Sequence, residues 1–194
     1  ALTALSTCSA LTDMASVIAS LKKLQFKVDG VRDFKLLGID LGGKAALSDF
    51  TAGDALKAVQ SYRSRKLPVE FVVDILAVNP NDGTGGSRRS ASTLTALECR
   101  LLIDGKPTVT GNIDRPIDIP GTGEQSVVPL RLSLDLLEFF GDRRYEDILG
   151  LALALGGKQR SAAKIALDAQ PTVSTPFGPI TYPDRITIVS TEFR

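Results

Sequence analysis

Residues 68–81 read Pro-Val-Glu-Phe-Val-Val-Asp-Ile-Leu-Ala-Val-Asn-Pro-Asn. Val69, Phe71, Val73, Ile75 and Ala77 recur at every second position, the period at which side chains of an extended chain return to one face. Glu70 and Asp74 take the other face among Val72, Leu76 and Val78. Pro68 cannot continue a helix from upstream, and Pro80 lacks the donor that a central strand needs. The stretch is therefore a strand with a defined start and stop. Its solid apolar face requires a second apolar layer to cover it.

Downstream of the polar stretch Asp82-Gly83-Thr84-Gly85-Gly86-Ser87-Arg88-Arg89, the same period returns. Leu97, Cys99, Leu101 and Ile103 alternate with Glu98, Arg100 and Asp104, and Asp104-Gly105 is a type I′ hairpin signal. A return strand is predicted from Thr108 to about Ile119, with Val109 and Ile113 facing inward. Pro120-Gly121-Thr122-Gly123 makes a turn, and Val128, Leu130, Leu132 and Leu134 mark the next strand. Residues 135–147 read as a short helical crossover. Leu149, Leu151, Leu153 and Leu155 alternate with Gly150, Ala152 and Ala154, which favours a strand over its rival, a helix. Further strands are predicted from Ala163 to Ala169 and from Ile186 to Phe193, with Thr175 to Pro183 as a Pro/Gly-rich connection.

Upstream, Leu24, Phe26 and Val28 alternate with Gln25, Lys27 and Asp29, and Gly30 precedes a second extended run from Phe34 to Leu41. Residues 51–65 interrupt with a helix. Thr51 is its N-cap, Asp54 completes a capping box, and Leu56, Val59 and Tyr62 share one side. The helix ends on the basic run Tyr62-Arg63-Ser64-Arg65-Lys66, which suits a helix C-terminus. Leu11, Met14, Val17, Ile18 and Leu21 recur at helical spacing, so an N-terminal helix is expected within residues 9–23, with Ser9 or Thr12 as N-cap. Many short strands without a repeated βαβ unit give an all-β sandwich over residues 24–194, with an N-terminal helix and one or two short inserted helices.

The totals narrow the function. The 194 residues are 43% hydrophobic and 23% charged, enough to bury the core of one domain. A formal charge of +1 argues against a dedicated nucleic-acid binder. With no histidine, Ser-His-Asp and Cys-His catalysis and imidazole zinc sites are excluded. The two cysteines are Cys8 and Cys99. A disulfide between them is disfavoured, because strand alternation points Cys99 into the core.

The chain opens Ala-Leu-Thr-Ala-Leu-Ser-Thr-Cys. Small and apolar residues before Cys8, with Leu5 three positions ahead, look like the tail of a lipoprotein signal peptide over residues 1–8; Thr7 departs from the small residue usual there. On that reading Cys8 carries the lipid, and several acyl chains make a durable anchor. Ser9 lacks the Asp that commonly retains lipoproteins at the inner membrane, which directs the expectation to the outer membrane.

The series of a strand ending Asn79-Pro80-Asn81, the Asp104-Gly105 hairpin, Ile119-Pro120-Gly121-Thr122-Gly123, Val128-Pro129-Leu130 and Pro176-Phe177-Gly178-Pro179-Ile180 resembles the late embryogenesis abundant type 2 family. This family is also called the water-stress and hypersensitive-response domain. Ser48-Asp49-Phe50, the inserted helix and Lys66-Leu67-Pro68 resemble its bacterial lipoprotein branch. The resemblance spans roughly residues 24–194 and is most specific at Asn79-Pro80-Asn81. It implies an immunoglobulin or fibronectin III-like sandwich without catalytic residues, linked in plants to desiccation and stress.

Other motifs fail on their chemistry. Gly38-Ile39-Asp40-Leu41-Gly42-Gly43-Lys44-Ala45 approaches a P-loop, but Ala45 cannot hold magnesium, so no nucleotide is expected. Asn79, Asn81 and Asp82 lack EF-hand spacing and read as turn formers. Glu146-Asp147 are adjacent and solvated rather than a paired acid–base site. The remaining candidates are Arg63, Arg65, Lys66, Arg88 and Arg89, which would form a contact patch for a membrane or an acidic partner if they lie together. The expectation is a non-catalytic envelope lipoprotein without cofactor or metal, contacting an envelope protein. The alternatives are a carrier of lipid or a small apolar ligand in a sandwich cavity, or a fixed subunit of an envelope complex.

Overall fold

The strand at Pro68–Val78 is the third of ten in chain order among the residues described by the computed structural model, which are 23–81, 91–157, 164–175 and 177–194. The strands are β1 (Gln25–Leu36), β2 (Ile39–Asp40), β3 (Pro68–Val78), β4 (Ser92–Ile103), β5 (Lys106–Gly111), β6 (Ile117–Ile119), β7 (Gln125–Asp135), β8 (Ile165–Thr175), β9 (Gly178–Thr181) and β10 (Ile186–Ile188). Three α-helices join them: α1 (Ala52–Arg63), α2 (Leu136–Phe140) and α3 (Tyr145–Gly156). One sheet runs β2-β1-β3-β7 and the other β10-β8-β4-β5, with β6 beside β4 and β9 beside β8. Lettered A (β1), B (β3), C (β4), C′ (β5), E (β7), F (β8) and G (β9 and β10), the sheets read A-B-E and G-F-C-C′. This is an all-β, immunoglobulin/fibronectin III-like sandwich with inserted helices.

Alternation governs the core. Val69, Phe71, Val73, Ile75 and Ala77 of β3 face Leu97, Cys99, Leu101 and Ile103 of β4, and all are buried. Val128, Leu130, Leu132 and Leu134 of β7 join them, as do Ile165, Leu167, Ala169 and Val173 of β8. The Asp104-Gly105 turn has φ of 50° and 75°, the paired positive values of a type I′ hairpin. Both open sides of the sandwich are closed. On one, Phe26 and Arg194 exchange both backbone hydrogen bonds. On the other, β5 and β7 approach closely at Gly111, where a Cβ would come within 2.5 Å of the end of the Leu132 side chain.

In the second sheet both central strands, β8 and β4, carry a proline or a bulge, and a side-chain amide completes the ladder there. Pro171 in β8 has no N–H to offer the G strand. Tyr182 N–H donates to its carbonyl at 2.9 Å, and Gln170 Nε2 donates to Tyr182 O at 2.8 Å, replacing the missing donor. In β4, Leu97 N–H donates to Asn112 Oδ1 at 2.7 Å, filling the gap between β5 and β6. Asn79 holds the far corner: Nδ2 donates to Ser92 Oγ and to Ile119 O, both at 3.3 Å. Its Oδ1 accepts from Asn81 N at 3.1 Å and Asn81 Nδ2 at 2.8 Å. Asn79 and Asn81 are buried, so this motif is a structural corner joining the two sheets.

Several sequence expectations are corrected. The alternating leucines from Leu149 to Leu155 lie in α3, not in a strand. The buried set is Ile148, Leu149, Leu151, Ala152, Leu155 and Gly156, a helical period that emerges once the small residues are counted with the leucines. Gly156 packs so closely on Phe34 that a Cβ would sit 2.3 Å from its ring. The return strand splits into β5 and β6 around residues 112–116. The Ile186–Phe193 strand is only three residues of β10, after which the chain crosses to β1. The predicted 163–169 strand runs on to Thr175, because Gln170 bridges Pro171. The Phe34–Leu41 run is the end of β1, a Leu37-Gly38 hairpin turn and β2. The N-terminal helix expected within residues 9–23, and Cys8, fall outside the described residues apart from Lys23.

Asn79→Ala removes the carboxamide that joins β3, β4 and β6 and strands buried donors and acceptors. It is expected to lower the unfolding free energy by about 2–3 kcal/mol in a urea titration. The Cys99 thiol is pushed up to about 11 by burial, partly opposed by the Gly111 backbone. Native protein should resist thiol reagents near neutral pH and react on denaturation. The unfolded thiol ionises near 9 and the folded one near 11, so stability from this group falls as pH rises through that window. Rapid labelling of the native state would contradict the register.

Candidate functional site

The helix between β2 and β3 behaves unlike the rest of the molecule. Its start is well determined. Thr51 Oγ1 accepts from Asp54 N at 3.1 Å, and Asp54 Oδ2 accepts from Thr51 N at 3.1 Å, the capping box expected from the sequence. Those hydrogen bonds hold the Asp54 carboxyl below its ordinary pKa. Lys44 reinforces the start, donating to Asp49 O at 2.8 Å and lying 4.7 Å over the Phe50 ring. The P-loop-like lysine thus serves a turn, and α1 begins only at Ala52.

The face that α1 turns to the domain is small and polar. Ala58 is buried, with Asp54 and Ser61 half-buried on the same side. Leu56, Val59 and Tyr62 share one side as expected, but they are 59%, 44% and 43% exposed. With Leu47 at 46%, they make up four of the six large apolar side chains exposed among the described residues. A soluble domain scatters such side chains; clustering marks a contact surface. Between α1 and α3 lies an apolar notch of about 180 Å³, walled by Leu47, Phe50, Val59, Tyr145 and Leu149. The Tyr62 and Tyr145 rings close one end at 4.7 Å.

The exit from α1 carries the charge. Lys66 N–H donates to Ser61 O at 3.1 Å and Arg65 N–H to Tyr62 O at 3.0 Å, the two bonds of a Schellman stop. The left-handed residue of that motif is usually glycine; here it is Arg65, at φ 55°. Asp135 then fixes the neighbourhood, because Oδ1 accepts from both Leu67 N at 2.8 Å and Leu137 N at 2.9 Å. One carboxylate therefore joins the exit of α1 to the start of α2. Between them runs an open groove of about 930 Å³, with Tyr62, Arg63, Arg65 and Lys66 on one wall and Glu138, Phe139 and Asp142 on the other. Lys106, from the start of β5, donates to Phe139 O and lies 5.2 Å over the Phe140 ring.

Three of the five basic residues singled out in the sequence thus line one groove. Arg88 and Arg89 lie outside the described residues. The described ends of their segment, Asn81 and Ala91, sit beyond the opposite end of β3, roughly 30–35 Å from Pro68 at ordinary strand rise. Sequence reasoning missed Lys57 and Lys106. It also missed that the α1 stripe points outward, although the small residues Ala58 and Ser61 on the other face were the available signal. Arg63, Arg65, Lys66 and Lys57 make no ion pair among the described residues, whereas Arg143 and Lys164 both pair with Asp104. Glu146 and Asp147 lie in the first turn of α3, where Asp147 meets Arg144 at 3.1 Å. Asp74 is held by Arg32 at 2.7 Å. Among the described residues no three metal-ligating side chains cluster, and no helix is long and apolar enough to cross a membrane.

No family model matches the chain, and no curated protein matches it. Among solved structures, a crystal structure of a protein from Archaeoglobus fulgidus aligns at 11% identity with a TM-score of 0.33, covering 64% of this chain and 87% of that one. A likeness that slight carries no argument about fold or function.

Arg65 holds a conformation that costs an L-residue with a Cβ about 1 kcal/mol or more. Arg65→Gly is therefore expected to raise stability by about 1 kcal/mol, read as a higher urea midpoint at unchanged slope. A loss of stability would mean that the guanidinium contributes contacts within the fold.

Proposed function

We propose that this chain is a non-catalytic envelope lipoprotein of the late embryogenesis abundant type 2 kind, which works by surface contact through α1. The observation that carries the contact reading is the exposed stripe of Leu56, Val59 and Tyr62 beside the unpaired Arg63, Arg65 and Lys66. A contact module needs a rigid body behind its surface. The space between the sheets is filled by Phe26, Phe71, Leu97, Leu101 and Ile103, all deeply buried. That packing favours contact over carriage of a ligand between the sheets. Asp54 and Asp135 serve helix caps, and Asp74, Asp104, Asp147 and Asp168 lie in ion pairs, which favours binding over chemistry.

The family part of the proposal rests on the motif series that begins at Asn79-Pro80-Asn81, and on the corner that Asn79 and Asn81 build. The address rests on Leu5-Ser6-Thr7-Cys8. Cys8→Ala in the native host should move the protein from the membrane to the soluble periplasmic fraction and abolish labelling by a fatty-acid analogue. Unchanged fractionation together with unchanged labelling would overturn the lipoprotein reading and leave the contact reading standing.

A further inference from the structure

We infer that α1 is a docking element for an anionic lipid surface. This deepens the contact reading above, but does not depend on lipidation at Cys8. Two independent features of the same helix point to it.

The first is apolar. Leu56, Val59 and Tyr62 project from a helix that buries only Ala58 of its own residues, and Leu47 lies exposed just upstream, beside Val59 in the notch. Helices that lie in the plane of a membrane interface bury such a stripe at the boundary of headgroup and acyl chains. Tyr62 sits at the edge of the stripe, its ring against Tyr145, where an aromatic residue with a polar tip favours the interface.

The second is electrostatic. Residues 51–67 carry four basic side chains, Lys57, Arg63, Arg65 and Lys66, against one acidic, Asp54, a net charge of +3. The one carboxylate is occupied by the cap and lies 3.7 Å from Lys44. The whole chain has a net charge of only +1, so the surplus on this segment is local; across the groove Lys106 adds to it, and Asp135, Glu138 and Asp142 offset part of it. Basic residues next to an exposed apolar stripe match the negative potential of a bilayer containing acidic lipid.

The test uses purified, unacylated full-length chain and vesicles of phosphatidylcholine with or without phosphatidylglycerol. Binding should require phosphatidylglycerol, weaken with added salt, and fall roughly fivefold for each basic residue removed. Arg65→Gly separates binding from folding, because it should bind more weakly while unfolding at higher urea. The chain has no tryptophan, so Leu56→Trp supplies a single fluorophore. Its emission should resemble that of exposed indole in buffer and shift to the blue on phosphatidylglycerol vesicles. Equal binding to both vesicle types would overturn the inference, as would binding retained by Leu56→Asp. Emission already blue-shifted in buffer would also overturn it. If that shift depends on protein concentration, the occupant is a second copy; if it does not, another part of the same chain covers the face.

Discussion

The apolar face that β3 turns toward β4 and β8 is the constraint on which the rest of the molecule depends. β3 lies between β1 and β7, so both of its edges are hydrogen-bonded and only its faces are free. Burying Val69, Phe71, Val73, Ile75 and Ala77 requires an opposing layer at the ordinary spacing of packed sheets, which β4 and β8 provide. Once these layers meet, a one-residue slip of any central strand would expose its whole apolar set. The register is therefore held by the core, and turns and loops conform to it. The amides of Gln170, Asn112 and Asn79 are consequences of that packing: where proline, bulge or strand end interrupts a ladder near the core, a side chain must replace the missing bond.

The same rigid frame explains why α1 can present apolar residues to solvent. Its ends are fixed independently of its face, at the start by the Thr51–Asp54 box and at the exit by the Schellman bonds and Asp135. A helix held at both ends need not bury its apolar stripe to remain helical. Leu56, Val59 and Tyr62 are thereby available for an external surface. Because Asp135 belongs to the last residue of β7 and caps α2, the groove beside Arg63, Arg65 and Lys66 is referenced directly to the sheet.

The molecule has two contrasting ends. At one, buried Asn79 and Asn81 satisfy polar groups inside a corner, and the surface gains nothing from them. At the other, Arg63, Arg65 and Lys66 make no ion pair among the described residues, and Asp135 beside them serves a cap. Desolvated polar groups must find partners, whereas exposed charges are free to wait for one. The buried polar corner and the open basic groups thus lie at opposite ends of β3.

The strands and their inward faces were legible in the sequence because a two-residue period needs no knowledge of the partner strand. The β3, β4 and β7 faces, the Asp104-Gly105 turn and the α1 capping box follow from local residues alone. The leucine repeat of α3 was misleading for the same reason. Periodicity counted on leucines gives two, while the buried set also includes Ala152 and Gly156, and Gly156 is set by the closeness of Phe34. Likewise, Pro171 looks like a strand end until Gln170 is seen reaching Tyr182, which lies 12 residues away in sequence from Gln170. The amino-acid pattern placed Leu56, Val59 and Tyr62 on one side of a helix. Which way that side faces was decided by tertiary packing alone, which buries Ala58, half-buries Ser61 and leaves the bulky stripe outside.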